Sequence, residues 1–530
     1  MRPASIGLAR SLSKRPCSRL GLSSTFSSFS PTRNDTVKRK PTDKINYNDI
    51  SFNEDPNVEH VKYRPVTANE LEKHSVPPRK VKMLVRDFIE DSLYNPHYGY
   101  FPKQAVILDS PAESFDFPSL RTAVEFQEEV AQRYSAYGSD QEGPGRQIWH
   151  TPTELFKPWY GQAVAQCLVS EYLLKYFPYE DFVIYEIGAG NGTLALNILD
   201  YIRDEYPEVY DRTRYHIAEI SGRLAKIQRK RLCSVHNCVR VEHKSVFHWN
   251  KRETAPCFFI AMEVVDNFAH DMIRYDLRTL QPKQAWISID GEGDFGVHYT
   301  RVTDPLISSL LSVRRQLSHG PPISPMLKAS PLLRKAFVNL PFAPNLSKPE
   351  FIPTRLLNLM LTLRNYFPRH RLLLSDFSSL PDTIPGYNAP VVQTRFRNTT
   401  VACSTILVKQ GYFDIFFPTN FEQLRDMYEF VLAEPVDSSK LSTASRSLPL
   451  TTNASSLSLG SAFFSSQYPS NRRPPMDGVV SASGLPVGEH KSSVFTHAEF
   501  LQTYADLSKT RLRNGENPML DFYQNVKFLF

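Results

Sequence analysis

Cysteine is scarce in this chain, and what there is does not pair by spacing. Cys17, Cys167, Cys233, Cys238, Cys257 and Cys403 are scattered through 530 residues with no C-x-x-C pair. That excludes a disulfide-stapled scaffold and a zinc ribbon. Cys233, His236 and Cys238 lie close together, but a structural zinc site needs a second ligand pair at suitable spacing, so no metal is expected. Long apolar runs are missing as well, and no stretch reads as a membrane span. No internal repeat is present, which removes solenoids and propellers.

Acidic residues are absent before Asp35, while residues 1–40 hold nine Lys and Arg. This segment is rich in Arg and Ser and has no continuous apolar core, the makeup of a mitochondrial transit peptide rather than a secretory signal. The location implied is the mitochondrial matrix. The basic tail accounts for the formal net charge of +7, and the remainder is close to neutral. A body without surplus positive charge excludes general tracking of nucleic-acid phosphates.

What is present is concentrated in one run, Val183-Ile-Tyr-Glu186-Ile-Gly188-Ala-Gly190-Asn-Gly192-Thr193. An apolar strand ends in an acid, three glycines follow at alternate positions, and Leu194, Ile198 and Ile202 then mark the apolar face of a helix. Such a unit brings a flat ligand close to the main chain, because glycine lacks the Cβ that would stand in the way. A dinucleotide fingerprint needs a further glycine where Thr193 stands. Glu186 would repel a pyrophosphate and suit an ammonium group. S-adenosylmethionine carries an ammonium, a sulfonium and no phosphate, and it is the cofactor this pattern selects. Tyr215–Ile220 reads as the second strand, where Glu219 is placed to accept both ribose hydroxyls.

Further strands are expected at Val239–Glu242, Cys257–Glu263 and Arg371–Phe377, and near 391–397 and 401–408, with a hairpin of Met272–Leu277 and Ala285–Ile289. Helices are expected over 80–93, from about Thr153 through the small residues Gly161, Ala163 and Ala165, and over Asn420–Leu432. Strands alternating with helices give a mostly parallel α/β sheet covered on both faces. The expected organisation is a linker over 41–75, a helical segment over 76–175, a core over 176–433 with a helical insertion over 301–353, a disordered Ser/Pro-rich insertion over 434–494, and a C-terminal docking segment over 495–530. Past the fourth strand, Glu263 and Asp266 stand three apart, on one side of a turn where an acceptor group would meet the methyl donor. Their spacing alone fits equally a helix cap and a surface acid, and it leaves lysine, hydroxyl and carboxylate acceptors open beside arginine.

Assembled, these segments resemble the MidA family of mitochondrial protein-arginine methyltransferases implicated in complex I assembly. The matching residues are Tyr94-Asn-Pro-His-Tyr-Gly99-Tyr100-Phe101, Thr151-Pro-Thr-Glu-Leu-Phe156, Glu186 to Leu194, Ala218-Glu219-Ile-Ser221, Ala261-Met-Glu263-Val-Val-Asp266, Leu374-Ser-Asp376-Phe377 and Gly411 to Phe421. The resemblance implies a Rossmann-like class I S-adenosylmethionine-dependent methyltransferase sheet with an N-terminal helical cap and insertions. It also implies symmetric ω-dimethylation of an arginine in a protein substrate, a complex I subunit. By motif, Glu186, Gly188, Gly190, Gly192 and Glu219 would hold the cofactor, and Glu263 and Asp266 would face the acceptor. The sequence departs from the family at Met262, where Asn is usual, at Val264-Val265, where aromatics are usual, and at Phe377-Ser378, where Tyr-Gly is usual. Those departures raise an alternative, a non-catalytic or differently specific S-adenosylmethionine-binding assembly factor. An NAD-linked oxidoreductase is disfavoured by Glu186 and Thr193.

Overall fold

Seven strands, numbered here in chain order, form the central sheet: β1 (Phe182–Ile187), β2 (Thr213–Glu219), β3 (Val239–His243), β4 (Cys257–Met262), β5 (His370–Phe377), β6 (Val494–Thr496) and β7 (Val526–Leu529). Their spatial order is β3-β2-β1-β4-β5-β7-β6, and only β7 runs antiparallel to its neighbours. This is the Rossmann-like arrangement of class I methyltransferases. The structure is a computed structural model that describes residues 59–103, 106–107, 114–135, 144–145, 148–149, 151–396, 399–433 and 492–530. The transit-peptide reading of 1–40, residues 41–58 of the expected linker and nearly all of the 434–494 insertion lie outside the described residues, while the rest of that linker is part of the fold: Arg64–Pro65 pairs with Val81–Lys82, and Ala68–Leu71 is helix.

Strand period explains the layering. Phe182 and Ile184 face one side of the sheet, Val183 and Tyr185 the other, and all four are buried. The first side is covered by α2 (Trp159–Lys175), α3 (Thr193–Glu205) and α10 (His497–Tyr504). The second is covered by α5 (Pro305–Gln316), α8 (Thr354–Tyr366) and α9 (Phe421–Ala433). The small residues of α2 let it approach α3 so closely that a Cβ on Gly161 would lie 2.5 Å from Asn197 Cβ. The remaining helices used below are α1 (Val85–Tyr94), α4 (Gly222–Leu232), α6 (Pro325–Ala329) and α7 (Pro331–Val338).

A second sheet was not legible in the sequence. Strand Pro282–Ile289 pairs with Asp271–Tyr275, as the expected hairpin, and also with Phe295–Arg301 and Val81–Leu84. The helix expected over 80–93 therefore begins only at Val85, and Val81–Leu84 is strand. Four residues ahead of a true amphipathic helix prolong its apparent period, and only pairing with Trp286–Ile289 decides their state. The segment 76–175, expected to be helical, thus contributes to a sheet. α1 is pinned by Arg86, which donates to Asp271 at 2.7 Å and to Asp304, the N-cap of α5, at 2.5 Å. A third sheet is built on Val391–Phe396, paired with Thr399–Cys403 and Asp414–Phe416. The strand expected over 401–408 ends at Cys403. The tail read as docking on the core supplies β6 and β7, so it completes the main sheet.

Candidate functional site

The strand order reverses between β1 and β4, and in open α/β sheets ligands bind outside the carboxyl ends at that point. The glycine turn leaves β1 there. Gly188, Gly190 and Gly192 have φ of +65°, +54° and +80°, left-handed values that a side chain would strain. Two of them also serve packing. A Cβ on Gly188 would lie 2.9 Å from Val264 of the loop after β4, and one on Gly192 would lie 2.9 Å from Leu232 of α4. The turn is therefore held directly against the loop expected to face the acceptor.

Glu186 ends β1 in a buried position and accepts a hydrogen bond from the Tyr215 hydroxyl at 2.9 Å. Burial pushes its carboxyl up to about 7. Glu219 ends β2, and its two oxygens accept from the Ser221 N–H at 2.8 Å and from Gln228 Nε2 at 2.9 Å. Burial raises this carboxyl as well, against those two bonds. Gln228 Nε2 also donates to the Gly190 carbonyl at 2.8 Å, so α4 fastens the second acid to the glycine turn. The Gln228 Oε1 atom is buried with no partner among the described residues. Gln228 was missed in the sequence, where nothing but its place on the helix after β2 could have marked it.

A further acid lies at the start of α3. The Thr193 hydroxyl donates to Glu154 Oε1 at 2.6 Å, and Glu154 is buried. That carboxylate is paired with Lys157 at 3.4 Å, and Arg231 donates to the Thr193 hydroxyl at 3.1 Å, so the start of α3 is held by a balanced cluster. The residues present fit a cofactor with an ammonium, a ribose and a sulfonium: acids close both strand ends, the turn is bare backbone, and an orphaned amide oxygen points to a missing donor.

The loop after β4 is bracketed by one buried carboxyl. Asp376 Oδ2 accepts from the Val265 and Asp266 N–H groups at 2.9 and 3.0 Å, and Oδ1 accepts from the Phe377 N–H at 2.7 Å. Glu263 sits at φ +53°, a conformation that costs a non-glycine residue about 1–3 kcal/mol and persists where the surroundings enforce it. Its N–H donates to the Ser375 carbonyl at 2.9 Å. The structure thus brings Glu263 and Asp266 together in one rigid turn.

The electrostatics of this turn are unusual. Asp266 is buried and its Oδ1 has no partner among the described residues. Its carboxyl is held well above the ordinary range by burial and by the neighbouring Asp376, Asp414 and Glu263. Glu263, partly exposed, is likewise held well above its ordinary value by desolvation and by Asp376. Asp376 is pushed up to about 7 and Asp414 to about 8, both chiefly by burial. Asp414 Oδ1 accepts from Asn267 Nδ2 at 3.2 Å, and its Oδ2 is also unpartnered. Burial and mutual proximity disfavour ionising all four carboxyls at once.

Tyrosines border the acids. The Tyr94 hydroxyl, at the end of α1, donates to the Asn267 carbonyl at 3.1 Å, and its ionisation is suppressed by burial and then by Asp266. Tyr160 of α2 is suppressed by burial and then by Glu263. Asp91 holds the chain beyond Tyr94 in place, accepting from Asn95 Nδ2 at 2.9 Å, from the Tyr98 hydroxyl at 2.7 Å and from Gln410. The roles of Tyr94, Asp376 and Asp414 were missed in the sequence, although all three lie in motifs singled out there. Two of the departures have a visible place in the fold. Met262 is buried in the core, and Ser378 donates to the Asn525 carbonyl at 2.9 Å ahead of β7.

Residues 163–435, just over half the chain, match the family described as "Putative S-adenosyl-L-methionine-dependent methyltransferase", and the chain belongs to that family. S-adenosylmethionine is accordingly its cofactor. A curated relative, the mitochondrial protein arginine methyltransferase NDUFAF7 homolog of Schizosaccharomyces pombe, is 29% identical over 244 residues, 44% of this chain and 51% of the relative. The chain thus spans about half the length of the curated relative it matches. Two solved structures from Burkholderia thailandensis, one of them bound to S-adenosyl-homocysteine, align over 69% of this chain and 74% of theirs, at 14% and 15% identity and a TM-score of 0.41.

Proposed function

We propose that this chain transfers a methyl group from S-adenosylmethionine to an arginine of a protein substrate. In its finer form the reading is symmetric ω-dimethylation of a respiratory complex I subunit in the mitochondrial matrix, in support of complex assembly. The observation that carries it is the pair of unpartnered, buried oxygens on Asp266 and Asp414, set beside Glu263 at the carboxyl end of β4. A guanidinium is a planar cation with forked donors that carboxylates bind in a bidentate manner. The name of the fission-yeast relative supports the same acceptor and compartment.

In this reading Glu186 takes the amino group of the cofactor, Glu219 the ribose, and Gly188, Gly190 and Gly192 the backbone approach. When bound, the cofactor supplies an electrophilic methyl on sulfur. Glu263 and Asp266 orient one guanidinium nitrogen in line with that methyl, and such positioning is worth roughly 7–11 kcal/mol. A carboxylate of this turn would accept the proton that the guanidinium nitrogen gives up on methylation, so the methylated arginine would stay cationic. Tyr94 and Tyr160 stay protonated beside these acids, and the Tyr94 hydroxyl is committed to the Asn267 carbonyl.

The assembly-factor alternative rests on Met262, buried in the core directly before Glu263, and on Ser378, whose hydroxyl donates to the Asn525 carbonyl. The test is Asp266→Asn in the full chain, with S-adenosylhomocysteine affinity read by calorimetry and arginine methylation by mass spectrometry. Retained affinity with lost methylation is expected. Unchanged methylation would remove Asp266 from the reaction.

A further inference from the structure

From Pro305 to Pro349 the sequence contains no Asp or Glu, yet it carries Arg314, Arg315, Lys328, Arg334, Lys335 and Lys348. Two of these cations are used inside the fold. Arg314 pairs with Glu350 at 2.8 Å, and Arg334 caps α6 by donating to the carbonyls of Leu327 and Lys328. Arg315, Lys328, Lys335 and Lys348 are exposed.

The same segment gathers exposed apolar side chains. Met326 is 68% exposed, Leu332 79%, Leu340 57% and Phe342 96%, with Leu333 at 45%. Isolated exposed apolar residues are ordinary, but here five are concentrated on the one segment from Met326 to Phe342. Its inner side is anchored, since Leu327, Phe337 and Val338 pack on the core. The outer side is therefore presented by a seated element. Leu332 and Lys335, three apart on α7, share its outward face. Phe342 has φ +64°, a left-handed conformation costly for an aromatic residue, and its ring is left in solvent.

Apolar anchors beside unpaired cations, with no acid in the whole segment, complement a surface that is anionic outside and apolar just beneath. Anionic lipid headgroups over acyl chains have that layering, and lysine stems lie along apolar surface while the ammonium reaches the phosphates. We propose that the α6–α7 insertion is a membrane-surface anchor, laying Met326, Leu332, Leu340 and Phe342 into the headgroup–acyl boundary of an anionic bilayer while Lys328, Lys335 and Lys348 meet lipid phosphates. Peripheral docking of this kind is compatible with the described helices, none of which is long and apolar enough to cross a membrane. It is independent of the acceptor chemistry.

The test is co-sedimentation of the full chain with phosphatidylcholine vesicles, with and without phosphatidylglycerol. Binding is expected only with the anionic lipid, and it should fall at high salt. The double variant Leu332→Asp/Phe342→Asp should lower the partition coefficient at least about tenfold, and Lys328→Glu/Lys335→Glu should lower it about tenfold. Both variants should keep the wild-type melting temperature and S-adenosylhomocysteine affinity, because the altered side chains are exposed. Wild-type protein left in the supernatant with both vesicles would overturn the proposal. So would undiminished sedimentation of the aspartate double variant, or self-association that this variant abolishes in the absence of lipid.

Discussion

The two halves of the site are built on opposite principles. At the ends of β1 and β2 the acids are satisfied: Glu186 is held by Tyr215, and Glu219 by Ser221 and Gln228. At the end of β4 they are left wanting, with an orphaned oxygen on Asp266 and another on Asp414. In the first half the acids are bonded and the Gln228 amide oxygen is left without a partner among the described residues. The second stores like-charge repulsion and burial that a bound cation relieves. The contrast suits the proposed reaction, in which the first half takes the cofactor and the second a cationic acceptor that gives up a proton.

The sharpest way to break this contrast is Asp266→Asn, which should lower turnover by about 10²–10⁴-fold while leaving cofactor affinity unchanged. Comparable losses in both would mean the halves are not separate. Next is Gly190→Val. At φ +54° a branched side chain strains the fold by about 1–3 kcal/mol, which should lower the melting temperature, while its bulk at the bare turn should abolish S-adenosylhomocysteine binding by calorimetry.

Acidity should separate the halves too. The Glu186 carboxyl is pushed up to about 7, so it is protonated and blind to an ammonium below that pH. Cofactor affinity should fall by up to about tenfold per pH unit on the acid side, and Glu186→Gln should flatten the profile. For Asp414 the raised value, about 8, means the folded chain holds a proton that the unfolded chain releases near 3.8. The stability from that proton is complete below the unfolded value and lost as pH climbs through about 8. Asp414→Asn should therefore raise the melting temperature by a few degrees at pH 8 relative to wild type, more than at pH 5. The smallest effect is expected for Ser378→Gly, which loses one hydrogen bond worth about 1 kcal/mol and should leave turnover intact.

Legibility in the sequence followed the range of the interactions. The glycine turn, β1, β2 and α3 declared themselves because their signals are local: alternate glycines, apolar period and an acid at each strand end. Glu263 and Asp266 were legible as a pair by spacing, but their burial was not. Tyr94, Asp376 and Asp414 reach the same turn from remote segments, and only the folded sheets bring them there. The strand at Val81–Leu84 was hidden for the same reason, its partner lying some two hundred residues onward at Trp286–Ile289.

The most direct measurement is mass spectrometry of proteins from mitochondria that lack this chain, after incubation with S-adenosylmethionine and the purified full-length protein. The account predicts a new methylated arginine with the wild-type protein and none with Asp266→Asn. A methyl group on another residue type, or equal arginine methylation by the variant, would contradict it.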